Sequence, residues 1–242
     1  MKTGLVKQTI FIPTSSAGGS AIPPGGNAIP PGNGATLQGG HPAGKSPAAS
    51  RVPRTEYLLV VYPYGDLQDR LLAAQQQFSS DYGLQMTVRN KPHITLAVFQ
   101  AGEEMEDTLI RWIQRICTQH KNFEITLNNF SGIPPHTIYL RVQDPQPFRE
   151  LTHQLRAIDD FILSSGGSPV NLASRPYLSI AGGLTEQVYN KAMPDYSRKT
   201  FHGIFRVDEL VLLKRGHSFD ACKTVNIFRL LPDLHQPNQS PA

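Results

Sequence analysis

Apolar residues recur along the chain from residue 56 onward with two different periods. The run YLLVVY at 57–62 is short and apolar throughout, which is typical of a buried strand. Leu67, Leu71 and Phe78 instead follow one another at helical spacing, and Gly83 lies where such a helix should end. Along the chain, the two periods predict strands at 57–62, 93–99, 123–130, 137–142, 177–180, 205–214 and 224–230, and helices at 67–82, 105–116, 148–162 and 184–192. The pattern therefore predicts an α+β fold with two similar halves.

The first part of the chain has a different composition. Residues 1–53 are rich in Gly, Pro, Ser and Ala, contain no acidic residue, and repeat the unit AIPPGGN as AIPPGNG at 21–34. Such a segment cannot bury enough apolar surface to offset the entropy lost on ordering. We therefore predict a disordered tail at 1–53, an ordered domain at 54–232 and a flexible C-terminal tail at 233–242.

The net positive charge of the chain comes from this N-terminal segment. Its four basic residues, Lys2, Lys7, Lys45 and Arg51, account for the excess of 23 basic over 19 acidic side chains. Because the rest of the chain is balanced, the charge does not by itself indicate a nucleic-acid-binding domain.

Cysteine usage and hydropathy bear on the compartment. Two cysteines, Cys117 and Cys222, do not require a disulfide framework, so we expect free thiols, a reducing compartment and a cytoplasmic location. No apolar run approaches the roughly 18 residues of a membrane helix, so no membrane contact is predicted. We also expect a monomer.

Two similar stretches carry the candidate chemistry, KPHITLAV at 91–98 and RPYLSIAG at 175–182. Successive side chains of a strand alternate between its faces, so His93 shares a face with Thr95, and Tyr177 shares one with Ser179. A hydroxyl beside an imidazole can bind the same anion that the imidazole protonates or deprotonates. A single His-x-Thr occurs often in structural strands, but its repetition in both halves favours a functional pair of strands.

Two cations are candidates for binding a phosphate. Lys91 and Arg175 each precede a proline at the entrance to a predicted strand. Solvated charges at strand ends are the alternative interpretation of both.

These motifs resemble the two-histidine phosphoesterases, which include the bacterial 2′-5′ RNA ligase-like proteins and the RNA 2′,3′-cyclic phosphodiesterases. The resemblance covers about residues 56–231 and rests on PHITL at 92–96, PYLSI at 176–180, PHTIYL at 135–140 and LVLLKR at 210–215. It implies a bilobal, pseudo-symmetric fold in which antiparallel sheets, backed by helices, surround a central cleft. Each lobe would contribute one signature strand to that cleft.

The resemblance also implies a reaction. One imidazole acts as general base and the other as general acid on a cyclic or linear phosphodiester, while the hydroxyls of Thr95 and Ser179 hold the non-bridging oxygens. Lys214 would position the phosphate if it reached the same cleft. The expected substrate is an RNA 2′,3′-cyclic phosphate end or a small cyclic nucleotide. Neither a metal nor a cofactor is expected, since the sequence has no zinc-like ligand spacing and no GxxxxGK[ST] loop.

The chain departs from the family pattern at Tyr177, which occupies the place of the second histidine. A phenol has a pKa of about 10, so at neutral pH it can donate a proton or hydrogen bond but does not act as a base. Three alternatives remain. Tyr177 serves as a poor general acid in a slow hydrolase, another histidine such as His136 or His217 replaces the missing one, or the protein binds phosphate esters without turnover.

Overall fold

The computed structural model describes residues 54–84, 91–216 and 220–233 of the 242-residue chain. The predicted tail at 1–53 and nearly all of the predicted tail at 233–242 lie outside these residues. The strands are β1 (Thr55–Val61), β2 (Ile94–Ala101), β3 (Phe123–Ile133), β4 (Thr137–Val142), β5 (Asn171–Leu172), β6 (Tyr177–Ala181), β7 (His202–Val207), β8 (Glu209–Arg215) and β9 (Lys223–Arg229). The helices are α1 (Asp66–Asp81), α2 (Glu106–Cys117), α3 (Gln146–Gln154), α4 (Arg156–Ser164) and α5 (Glu186–Tyr196).

The strands form one curled antiparallel sheet in the order β7-β3-β4-β6-β2-β1-β8-β9, with β5 added beside β2. Two sets of four strands meet at its centre, where β2 of one set pairs with β6 of the other through Ile94 and Leu178. The α+β class and the two halves are thus confirmed. The contact between β2 and β6 joins the antiparallel strands of the two halves into one sheet.

One face of the sheet packs against the helices. The buried residues of all five described helices join a single cluster with alternate strand residues, including Ile94, Leu96, Leu178 and Ile180. We call this the helix-side cluster. Burial of these side chains supplies the main stabilisation of the fold.

The opposite face, here called the site face, carries a smaller group of buried residues. Leu58, Val60, Val211 and Leu213 form this site-face cluster, and Tyr62, Val98 and Cys222 pack against it. Since Val60 pairs with Thr95 in the β1–β2 ladder, the side chain of Thr95 lies on the same face.

Two predicted elements are each divided in the structure. The helix predicted at 148–162 is two helices, α3 and α4, which meet at Leu155. The strand predicted at 205–214 is also two strands, β7 and β8, and they pair at opposite ends of the sheet, with β3 and β1 respectively. Between them, the Asp208 carboxylate accepts hydrogen bonds from Asn122 at 2.6 Å and Arg206 at 2.8 Å. The intervening Asp208 therefore marks a change of partner that the apolar pattern did not reveal.

Candidate active site

The two signature strands lie side by side at the centre of the sheet. Ile94 pairs with Leu178, and both side chains are fully buried in the helix-side cluster. Because the two strands are antiparallel, the residue before Ile94 lies opposite the residue after Leu178, and the reverse also holds. His93 is therefore opposite Ser179, and Thr95 is opposite Tyr177. Directly opposed Cβ atoms in such a pair are about 4.5–5.5 Å apart. The four predicted side chains therefore gather on the site face.

His93 is held in one tautomer by its own backbone. Its Nδ1 lies 2.8 Å from the carbonyl oxygen of Lys91. Because a carbonyl oxygen can only accept, Nδ1 carries the proton and Nε2 of the neutral ring is a hydrogen-bond acceptor. The Tyr62 ring approaches the imidazole edge-on, with 5.8 Å between ring centroids. A general base requires this tautomer of His93, because the unprotonated Nε2 can accept a proton.

The pKa of His93 lies below its ordinary value of 6.5. Burial lowers this pKa most, the Lys91 carbonyl opposes the change by favouring the protonated ring, and the positive charge of Arg215 lowers the pKa further. His93 is therefore neutral at pH 7 and able to accept a proton.

Tyr177 has the opposite property. Burial, followed by the neighbouring Tyr139, raises the pKa of Tyr177 above its ordinary value of 10.0. Its ring centroid lies 4.8 Å from that of Tyr139. The phenol is therefore protonated at neutral pH, so it offers a hydrogen-bond donor and an aromatic surface.

Helix α1 contacts the second signature strand from the helix side of the sheet through one hydrogen bond. The side-chain amide of Gln75 donates to the main-chain carbonyl of Ser179 over 3.1 Å. Thr95 and Ser179 are both half-buried. Their positions are thus fixed by the sheet, which suits hydroxyls that must hold an anion in one place.

Arg175 lies in a bulge next to this site. β5 pairs with β2 at Ala97 and Leu172, and β6 pairs again at Ile94 and Leu178, so β2 advances three residues where its partner advances six. The extra residues are 174–176, of which Pro176 is buried. Arg175 is exposed there, and the equally exposed Lys91 lies two residues before His93.

Lys214 does not lie on the site face, which corrects the sequence hypothesis for this residue. Its Nζ donates to Oε2 of Glu106 in α2 over 2.8 Å, and the Tyr57 hydroxyl donates to the same oxygen over 2.9 Å. Burial raises the pKa of Glu106, but these two hydrogen bonds and the positive charge of Lys214 together outweigh it and leave the pKa lowered. Side chains alternate along β8, so Leu213 faces the site and Lys214 faces the helices.

Of the two candidate replacement histidines, His136 lies away from the signature pair. His136 is exposed in the β3–β4 turn, with Nδ1 3.4 Å from the carbonyl oxygen of Leu184. The β4–β6 ladder pairs Ile138 with Ala181 at the end of β6 opposite Tyr177, so the structure does not bring His136 to the signature pair. His217 lies outside the described residues.

Two arginines near the site were not singled out from the sequence. Arg215 is buried, forms an ion pair with Glu56, and contributes to the lowered pKa of His93. Arg141 is exposed and pairs directly with Tyr177 in the β4–β6 ladder. On its strand, each arginine lies two residues from a residue of the site face, so alternation places it on the same face. This alternation could have identified both arginines from the sequence.

Over residues 54–84, 91–216 and 220–233, no group of three or more His, Cys, Asp or Glu side chains is arranged to hold a metal ion. Within the same ranges, no helix has the length and apolar character needed to cross a membrane.

Comparisons with solved structures show which known proteins share this fold. The structure resembles E. coli LigT complexed with 3′-AMP, with a TM-score of 0.57, 16% identity and coverage of 73% of this chain and 98% of LigT. A protein described as a phosphoesterase gives a TM-score of 0.53 at 15% identity, covering 73% of this chain and 98% of that one. E. coli LigT complexed with phosphate gives 0.51 at 14% identity, covering 74% and 99%. These likenesses show a shared fold.

No curated protein sequence matches the chain. The family model of the 2′-5′ RNA ligase superfamily, in contrast, matches residues 66–218, which is more than half of the sequence. The chain therefore belongs to the 2′-5′ RNA ligase superfamily.

Proposed function

We propose that this protein is a slow, metal-independent phosphodiesterase that opens RNA 2′,3′-cyclic phosphate ends or small cyclic nucleotides. The observation that carries the proposal is the arrangement of side chains where β2 pairs with β6, a place here called the seam. A neutral imidazole with a fixed tautomer, a protonated phenol and two hydroxyls lie on one face of adjacent strands.

The proposed reaction uses these groups in one displacement. Nε2 of His93 accepts a proton from water as the water oxygen forms a bond to phosphorus. One ester P–O bond of the cyclic phosphate breaks, and the released ribose oxygen takes a proton from the Tyr177 hydroxyl. The imidazolium then returns a proton to the phenolate, directly or through solvent. The product is a phosphomonoester.

The remaining groups stabilise the negative charge of the phosphate. The hydroxyls of Thr95 and Ser179 donate to the non-bridging oxygens, and Arg175 with Lys91 supplies positive charge at the rim. LigT, which shares the fold, was crystallised with 3′-AMP and with phosphate, and this supports a nucleotide phosphate as the ligand class.

A non-catalytic phosphate-binding protein is the second candidate function. The raised pKa of Tyr177 favours it, because a phenol that holds its proton more tightly is a weaker acid. Product analysis after incubation of the wild-type protein with 2′,3′-cyclic AMP separates the two. Formation of a phosphomonoester supports the enzyme, binding without product supports the second candidate, and absence of both rejects the site.

The pH dependence of the wild-type reaction follows from His93. The base must be neutral and its pKa is lowered from 6.5, so the acidic limb of kcat/KM should be centred below pH 6.5. Since the pKa of Tyr177 is raised, the alkaline limb should lie above about pH 10. A profile of kcat/KM measured from about pH 4 to pH 10 tests this. An acidic limb centred at or above 6.5 would contradict the assignment of His93 as the buried base.

A further inference from the structure

The half of the site that lacks a histidine contains a pair of aromatic rings. Tyr139 on β4 and Tyr177 on β6 lie on the site face with ring centroids 4.8 Å apart and an angle of 45° between the ring planes. Both are half-buried, so each ring presents part of its surface at this face.

These two rings are not part of either hydrophobic cluster of the described residues. Other tyrosines do serve the core, since Tyr57 and Tyr196 are 0% and 1% exposed within the helix-side cluster. Two adjacent, partly exposed aromatic rings outside the core form a surface on which a flat ligand can stack.

The rings lie at the right place for the base of a nucleotide. Tyr139 pairs with Ser179 in the β4–β6 ladder, and Ser179 is one of the two hydroxyls assigned to the phosphate. Arg141 follows on the same strand face, pairs with Tyr177 and is exposed, so its side chain is within reach of a base that stacks there.

Among the described residues, the half of the site around His93 has no second pair of tyrosine rings of this kind. Tyr62, the aromatic neighbour of His93, meets the imidazole edge-on and packs against the site-face cluster. A base attached to a phosphate at the seam is therefore directed toward Tyr139.

We propose that Tyr139 and Tyr177 form a binding surface for the nucleobase, so that the site takes nucleotides in preference to cyclic phosphodiesters without a base. This inference rests on the proposed phosphate site at the seam. It also gives the tyrosine at 177 a role of its own, because a phenol keeps a hydrogen-bond donor there and enlarges the aromatic surface.

The test compares 2′,3′-cyclic AMP with the base-free ligand methyl riboside 2,3-cyclic phosphate on the wild-type protein and on Tyr139→Leu, Tyr139→Phe and Tyr64→Leu. The dissociation constant of each ligand is measured, so the test does not depend on turnover. Tyr64 is 53% exposed and outside the site strands, which makes it the matched control. A thermal melt confirms that each variant is folded.

Wild type should bind 2′,3′-cyclic AMP about 5- to 100-fold more tightly than the base-free ligand. This is the range of affinity that stacking of one base contributes. Tyr139→Leu should remove this preference without changing the affinity for the base-free ligand, while Tyr139→Phe and Tyr64→Leu should retain it. Equal wild-type affinity for both ligands, or equal weakening of both by Tyr139→Leu, overturns the base surface and leaves the phosphate site standing. If wild type binds neither ligand, the phosphate site and the base surface are both refuted.

Discussion

Replacement of His93 by alanine is expected to lower kcat/KM for 2′,3′-cyclic AMP by about 10²- to 10⁴-fold, the usual contribution of a positioned general base. The structure gives the reason. Nδ1 donates to the Lys91 carbonyl, Nε2 is the acceptor, and the lowered pKa keeps the ring neutral. Steady-state hydrolysis measured at pH 7 provides the value.

The matched control for this variant is His153→Ala, because His153 is exposed on α3, a helix that packs on the face of the sheet opposite the site face. It should keep wild-type activity. The account fails at this point if His93→Ala hydrolyses the substrate at the wild-type rate, or if His153→Ala loses as much activity as His93→Ala.

Replacement of Tyr177 by histidine should raise kcat by about tenfold or more, since an acid with a pKa near the working pH transfers its proton more readily than a phenol. If Tyr177 also forms part of the nucleobase surface, Tyr177→His should raise KM for 2′,3′-cyclic AMP as well, because part of the aromatic surface is lost. The companion variant Tyr177→Phe removes the hydroxyl and keeps the ring, so kcat should fall below wild type while KM stays close to it. Steady-state kinetics on the three proteins separates the two parameters.

Two results would argue against this role of Tyr177. Unchanged kcat in Tyr177→Phe would mean that the phenol donates no proton in the rate-limiting step. Activity that appears only in Tyr177→His would identify the natural chain as a binding protein that lost its second catalytic group.

The centre of the site could be predicted from the sequence because its signal is local. The repeated Pro-x-x-[TS] stretches and the two-residue period of a strand together placed His93 with Thr95 and Tyr177 with Ser179. The resemblance to a family supplied the expectation that the two strands meet, and the pairing of Ile94 with Leu178 shows that they do.

Other features depended on which strands pair, which sequence periodicity does not encode. Lys214 stands next to Arg215 in sequence, yet one faces α2 and the other faces the site. His136 opens a strand much as His93 does, but the β4–β6 register leaves it at the far end of β6 from Tyr177. The apolar stretch at 205–214 contains two strands, and their pairing with β3 and β1 reveals the division at Asp208.

The central claim is that both signature strands hold a single phosphate, and a double-mutant cycle on binding tests it most directly. The affinity of 3′-AMP is measured by calorimetry for wild type, Thr95→Val, Ser179→Ala and the double variant. Two hydroxyls that share one ligand group should be coupled by about 0.5–3 kcal/mol. Effects that add to within about 0.3–0.5 kcal/mol, or no effect of either substitution, would contradict a shared phosphate site.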